Sequence, residues 1–108
     1  MIEIRQYVDR LGRNRFERWF ENLDGTTRAR IAIALERLQE GNFSAVKGIG
    51  AGVSELRLDF GPGYRIYIGK DGERLVILLG GGTKKRQQTD IEGAKALWQE
   101  YKLQKREK

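Results

Sequence analysis

Arg57 and Arg65 flank a Gly61-Pro62-Gly63 turn in the segment ELRLDFGPGYRIY. A guanidinium offers a planar fork of donors that fits phosphate oxygens and stays ionised, so two of them on facing strands suit an anion. Lys84, Lys85 and Arg86 follow a triple glycine, Gly80-Gly81-Gly82, and add three more cations. Strand side chains alternate with period two. Leu56, Leu58, Tyr64, Ile66 and Ile68 therefore take one set of faces, and Glu55, Arg57, Asp59, Arg65 and Tyr67 take the other. The second set is expected to form the open face of a small sheet, where phosphate binding is the chemistry the residue types allow. Lys47, in the segment just before these strands, is a further contact candidate. Gln88 is placed to meet either a base edge or the start of a helix.

The elements that must position these groups can be read from periodicity. Ile2 and Ile4 alternate with Glu3 and Arg5, which predicts a strand over 2–7. A helix opening at Asp9 or Gly12 carries Phe16, Trp19, Phe20 and Leu23 at helical spacing, a stripe that belongs to a core. Asp24 is the expected N-cap of a second helix with Ile31, Leu35 and Leu38 on one side, and Gly41 is its expected C-terminal stop. So short a link predicts an antiparallel helical hairpin. Its outer faces carry Arg13, Arg15, Arg18, Arg28, Arg30 and Arg37, which are expected to be solvated.

Residues 41–52 are glycine-rich and are expected to be a loop. Gly48, Gly50 and Gly52 do not make a phosphate cradle, since a P-loop ends in Gly-Lys-Ser/Thr and opens a helix, whereas a strand follows here. Three strands come next, at 53–60, 64–69 and 74–80. The second and third are joined at Asp71-Gly72, a strong hairpin signal. Leu75 to Leu79 are apolar throughout, which predicts an interior strand covered on both faces. The triple glycine is expected to end it. Thr89-Asp90-Ile91-Glu92 matches a capping box and predicts a last helix, with Ile91, Ala94, Leu97, Trp98 and Tyr101 as its apolar stripe and a frayed tail.

Composition narrows the chemistry. The 108 residues suffice for one domain, expected to span 1–108, with 39% hydrophobic and 33% charged residues. No stretch approaches the roughly 20 apolar residues of a membrane-spanning helix, so no membrane partner is expected. The N-terminal MIEIRQY lacks the apolar run of a secretory signal, and there is no cysteine; both fit a reducing cytoplasm. The net charge of +6 favours a polyanion or an acidic protein as partner. There is no histidine, which removes the commonest general base and metal ligand. No carboxylate cluster has the spacing of an oxygen-ligand metal loop, and no cofactor or metal is expected.

At ELR, GPGYRIY, LLGGGTK and QQTDI the chain resembles the HigB-type branch of the RelE/ParE toxin superfamily, the addiction-module killer proteins related to phage Gp49. The segment FERWFENLDGTTRARIAIALERLQEGN fits that family's helical hairpin, so the resemblance covers nearly the whole chain. It implies an α+β, RelE-like fold: a small, mainly antiparallel sheet with an N-terminal helical hairpin and a C-terminal helix, in the order β-α-α-β-β-β-α. It implies a toxin of a type II toxin–antitoxin module. Many relatives are ribosome-dependent mRNA endoribonucleases, blocked by a helix-turn-helix antitoxin encoded next door, and they meet operator DNA only through that complex. The ParE branch instead acts on DNA gyrase without cutting RNA, and a basic interaction module without toxicity is a third reading. Arg57 matches one basic residue that the ribonucleases carry before the turn, but Glu55 stands where another would be lysine. Arg65 matches the arginine of GYR, and Lys84, Lys85 and Arg86 match loosely the cations after the last strand. The tyrosine that some relatives carry at the start of the last helix is replaced by Ile91.

Cleavage of RNA by its own 2′-OH requires alignment of the hydroxyl, neutralisation of the developing charge and protonation of the departing 5′ oxygen. On the resemblance, Arg57 and Arg65 are expected at the scissile phosphate. Lys84 is one candidate base, because neighbouring cations such as Lys85 and Arg86 favour a neutral amine. Glu55 is the other, with an ion pair to an arginine as its alternative fate. The expected nucleic-acid contacts are Lys47, Arg57, Arg65, Lys84, Lys85, Arg86 and Gln88.

Overall fold

The structure is a computed structural model that describes residues 1–107. Its elements are β1 (Glu3–Gln6), α1 (Arg15–Glu21), α2 (Gly25–Gln39), β2 (Val46–Gly50), β3 (Val53–Leu58), β4 (Tyr64–Asp71), β5 (Leu75–Thr83) and α3 (Gln87–Arg106), with one 3-10 turn over Lys84–Arg86. The five strands make one sheet in the order β1-β5-β4-β3-β2. β1 runs parallel to β5, and the other pairs are antiparallel. This is the α+β arrangement that the resemblance implies, with one more strand than the sequence predicts.

Two apolar layers sandwich the sheet. Phe16 of α1 and Ile31 and Leu38 of α2 pack on Leu56, Leu58, Ile66, Ile68, Val76 and Leu78. On the opposite face Ala94, Leu97 and Trp98 of α3 pack on Val53, Tyr67, Ile77 and Leu79. β5 is apolar on both sides because it serves both layers. Leu78→Ala is expected to cost about 2–5 kcal/mol in urea unfolding, since it deletes a buried side chain that helices and sheet share. A loss below about 1 kcal/mol would mean that this layer is loosely packed.

Local signals place the helices. The Asn14 side chain accepts from the Glu17 amide at 3.0 Å to start α1, and Asp24 accepts from Thr27 at 2.7 Å to start α2. Gly41, at φ +93°, follows α2 in the left-handed region that favours glycine.

Five expectations need correction. The first helix opens after Asn14 rather than at Asp9 or Gly12, because the Asp9 carboxylate holds a turn by accepting from the Leu11 and Arg13 amides at 2.9 Å. The segment read as a loop contains β2, an edge strand with two glycines in five residues and a bulge at Ile49, so its alternation is broken. The triple glycine does not end β5, which runs through it to Thr83. α3 starts at Gln87, before the expected capping box, so Thr89 lies inside the first turn and caps nothing. The tail stays helical to Arg106, because Lys105 reaches Asp71 at 2.6 Å and Tyr101 reaches it at 2.5 Å. Those two bonds hold the Asp71 carboxyl below its usual range, the lysine's contribution being the larger.

Candidate functional site

The strand register sets the candidate residues in two rows on the α3 side of the sheet. Lys47, Glu55, Tyr67 and Gly80 face one another across β2, β3, β4 and β5. Arg57, Arg65 and Gly82 form the next row, nearer the β3–β4 turn. The alternation read from sequence therefore puts these side chains on one face, as expected. That face is not open.

α3 crosses it, and its first residue reaches down to Glu55. The Gln87 amide donates to both Glu55 oxygens, at 2.9 and 3.3 Å. Glu55 and Arg65 are 4% and 3% exposed, and Arg65 Nε lies 3.4 Å from Glu55 Oε2. The pair is electrostatic only, since Nε makes no hydrogen bond, while Nη1 donates to the Tyr64 carbonyl at 3.1 Å. Arg65 is thus turned inward against a carboxylate, and the expectation that it lies open beside Arg57 is corrected. Glu55 is likewise committed to Arg65 and Gln87 and is not an exposed base. The cause is the length of α3: a helix covering Val53, Tyr67 and Ile77 also roofs their neighbours.

Arg57 differs. It is exposed and has no carboxylate partner among the described residues. It shares a depression of about 390 Å³ with Lys47, bordered by Asp59. It also edges a hollow of about 400 Å³ beneath α2, floored by Leu56, Leu58 and Phe60 and rimmed by Arg30 and Arg37. Arg30 stacks on the Phe60 ring at 4.8 Å. Lys84 is exposed at the same end, and its backbone amide donates to the Gly63 carbonyl of the turn at 2.9 Å. A side chain added at Gly63 would touch both Lys84 Cβ, at 3.6 Å, and Arg65 Nη1, at 3.7 Å, so these residues do converge there. Lys85 is exposed beside it. Arg86 turns the other way, and Gln88 bonds Glu92 along the outside of α3 at 3.4 Å rather than facing the sheet.

Arg86 leads to a feature that sequence reasoning missed. A cleft of about 380 Å³ opens at the edge of β5 beyond the end of β1, between α1 on one face of the sheet and α3 on the other. The triple glycine builds it: Gly80 has no side chain and nothing within reach above it, Trp19 lies directly on Gly81, and the Asp90 carboxylate lies directly on Gly82. Burial pushes the Asp90 carboxyl above its usual range, against an opposing pull from Arg86. Burial also pushes the Tyr67 hydroxyl up to about 12, reinforced by Asp90 and Glu55 and opposed by Arg65. Of the arginines expected to be solvated, Arg13, Arg15 and Arg18 border this cleft. Spacing of one glycine run against an aromatic helix was the available signal.

No helix among the described residues is long and apolar enough to cross a membrane. The family described as phage derived protein Gp49-like matches residues 18–102. A Haemophilus influenzae protein described only as uncharacterized is 44% identical over 89 residues, covering 82% of this chain and 90% of that protein.

Proposed function

The chain belongs to the phage-derived Gp49-like family of the HigB-type addiction-module killer group, and on that premise we propose that it is a toxin that cleaves mRNA on the ribosome. Membership makes it a toxin of a toxin–antitoxin module, with an antitoxin as partner. The cleavage, the ribosome and the residue roles are proposed beyond that. The observation that carries it is Arg57: an exposed guanidinium, without a carboxylate partner among the described residues, beside Lys47 at the end of the sheet where Lys84 also emerges.

In this reading Arg57 holds the scissile phosphate and the charge that grows on it as the 2′-OH attacks. Lys84 is the base or a second phosphate clamp, with Lys85 and Lys47 on flanking phosphates. Arg65 is a positioning residue, held on Glu55, that backs the strand carrying the site. Such an open surface has little to align the RNA by itself, so alignment falls to the ribosome. A cationic surface of this kind is also what an acidic antitoxin segment would cover.

Regulated expression with and without the neighbouring gene, followed by mapping of transcript ends, tests the proposal. The expected result is growth arrest relieved by the neighbour, with cuts in phase with codons. Arrest without new transcript ends would assign the protein to the non-nucleolytic, gyrase-directed kind, and no arrest at all would leave an interaction module.

A further inference from the structure

We propose that the hollow beneath α2 is the docking site for an acidic, amphipathic helix of another protein, and that a helix seated there also covers Arg57. The docking does not require the protein to cut RNA; only the consequence at Arg57 rests on the proposed activity.

The core leaves one stripe of α2 unused. Ile31 and Leu38 are buried in the layer against the sheet, whereas Arg30, Ile33, Ala34 and Arg37 recur at the i, i+3, i+4, i+7 spacing of a second helix face. All four line the hollow. Ile33 belongs to neither apolar layer and is 49% exposed. Leu56, Leu58 and Phe60 supply an apolar floor beside it. The stripe is thus apolar at its centre and cationic at both ends. Arg30 and Arg37 stand seven residues apart, about 10 Å along the helix axis. An apolar helix stripe next to an apolar floor is a groove suited to the apolar face of another helix, whose anchors fall at the same spacing.

Charge selects the kind of helix. Arg30, Arg37 and Arg57 border the hollow, and none has a carboxylate partner among the described residues. No acidic residue among those described lines it. Arg30 stacks on Phe60 at 4.8 Å, which occupies one face of the guanidinium and leaves its edge N–H groups for an acceptor. A partner helix with carboxylates seven residues apart, one at each end of its apolar stripe, meets this pattern. A second copy of the chain does not, since it would set arginine against arginine. A nucleic acid would answer the cations but not Ile33 and the leucine floor.

The hollow reaches Arg57 round the edge of the sheet. The register of β2 with β3 ends at Val46 with Leu56, and just past it the Arg57 amide donates to the Ala45 carbonyl at 3.1 Å. Ser44, Ala45 and Arg57 therefore border both the hollow and the depression that holds Lys47. A helix laid along the stripe closes the approach to Arg57 from this side.

The test uses the full chain and two synthetic helical peptides of about 16 residues, roughly four turns each. Their compositions are identical. One carries two glutamates seven residues apart, flanking leucines on the same face; in the other the glutamates sit on the opposite face. Both are titrated by calorimetry. The face-matched peptide is expected to saturate and to bind about tenfold more tightly than the other. Ile33→Glu sets a carboxylate in the apolar centre, against the peptide's own glutamates, and should weaken binding about tenfold. Arg37→Ala removes a partly solvated rim pair and should cost about threefold. Arg74→Ala, a charge-matched control in the β4–β5 turn, should bind as the parent does. Ile33 and Arg37 are exposed, so both variants should melt as the parent does, and a loss of binding is then not a loss of fold. Equal binding of the two peptides, or parent-like binding by Ile33→Glu, overturns the inference. So does a free protein that sediments as a dimer and becomes monomeric in Ile33→Glu, because the hollow then belongs to a second copy. An uncleavable oligoribonucleotide that outbinds the peptide and loses as much in Ile33→Glu overturns it too. Cleavage of ribosome-bound message is expected to fall with saturating peptide in the parent but not in Ile33→Glu; undiminished cleavage would strike the covering of Arg57. Peptide binding by a protein that cuts no transcript would leave the docking site standing and sink the proposed activity, and cleavage without peptide binding would do the opposite.

Discussion

Arg65→Ala is expected to lose about 3–5 kcal/mol of stability, the usual cost of removing one partner from a buried ion pair. The reasoning starts from burial. Both Glu55 and Arg65 are almost wholly covered, and their charges are 3.4 Å apart. Removing the guanidinium leaves Glu55 facing the Gln87 amide alone, a neutral donor in place of a cation. The double variant Glu55→Gln with Arg65→Met should be far less damaged than Arg65→Ala, because no lone charge remains. Urea unfolding of the parent, both single variants and the double variant would give the coupling directly. A loss under about 1 kcal/mol in Arg65→Ala would mean that the guanidinium faces water in solution, and the open-face reading of Arg65 would then regain its ground. Any loss of toxicity in this variant is to be read through its stability before it is read as chemistry.

The contrast between Arg65 and Arg57 also marks how far sequence reaches. Period-two alternation placed both arginines on the same face, and the register bears this out, with the two directly opposite on β3 and β4. Alternation says which side chains share a face. It does not say what lies over that face, because that depends on where a helix 30 residues downstream settles. Gln87, the residue that seals Glu55, carries no local signal that sets it apart from Gln88. The helix caps at Asp24 and Gly41 and the apolar character of β5 were legible because each rests on local geometry or on one stretch of chain. β2 was not, since its glycines mimic a loop and only the neighbouring β3 makes it a strand. The triple glycine looked like a stop because glycine disfavours strands. Its missing Cβ atoms make a close approach legible in the sequence, but that Trp19 and Asp90 are the groups admitted at contact distance is visible only once α1 and α3 are in place.

Arg57→Ala is expected to behave in the opposite way to Arg65→Ala: cleavage reduced by about 10²–10³-fold, the typical loss when one donor to a developing oxyanion is removed, with stability nearly unchanged. The stability half follows from its surroundings. Arg57 is exposed, makes no ion pair among the described residues, and sits directly across from another arginine. Like charges directly opposite on neighbouring strands repel by some tenths of a kcal/mol, so the truncation relieves a small strain while losing little packing. Melting should therefore shift slightly upward or not at all. The activity half follows from geometry at the phosphate. Arg57→Lys keeps the charge but loses the planar fork, so it should recover only part of the rate. Transcript cleavage after induction, measured for parent, Arg57→Ala and Arg57→Lys at matched protein levels, separates the outcomes. A ranking of parent, then lysine, then alanine supports a phosphate contact at this position. Equal killing by all three, with equal melting, would remove Arg57 from the site and with it the observation on which the proposed cleavage rests.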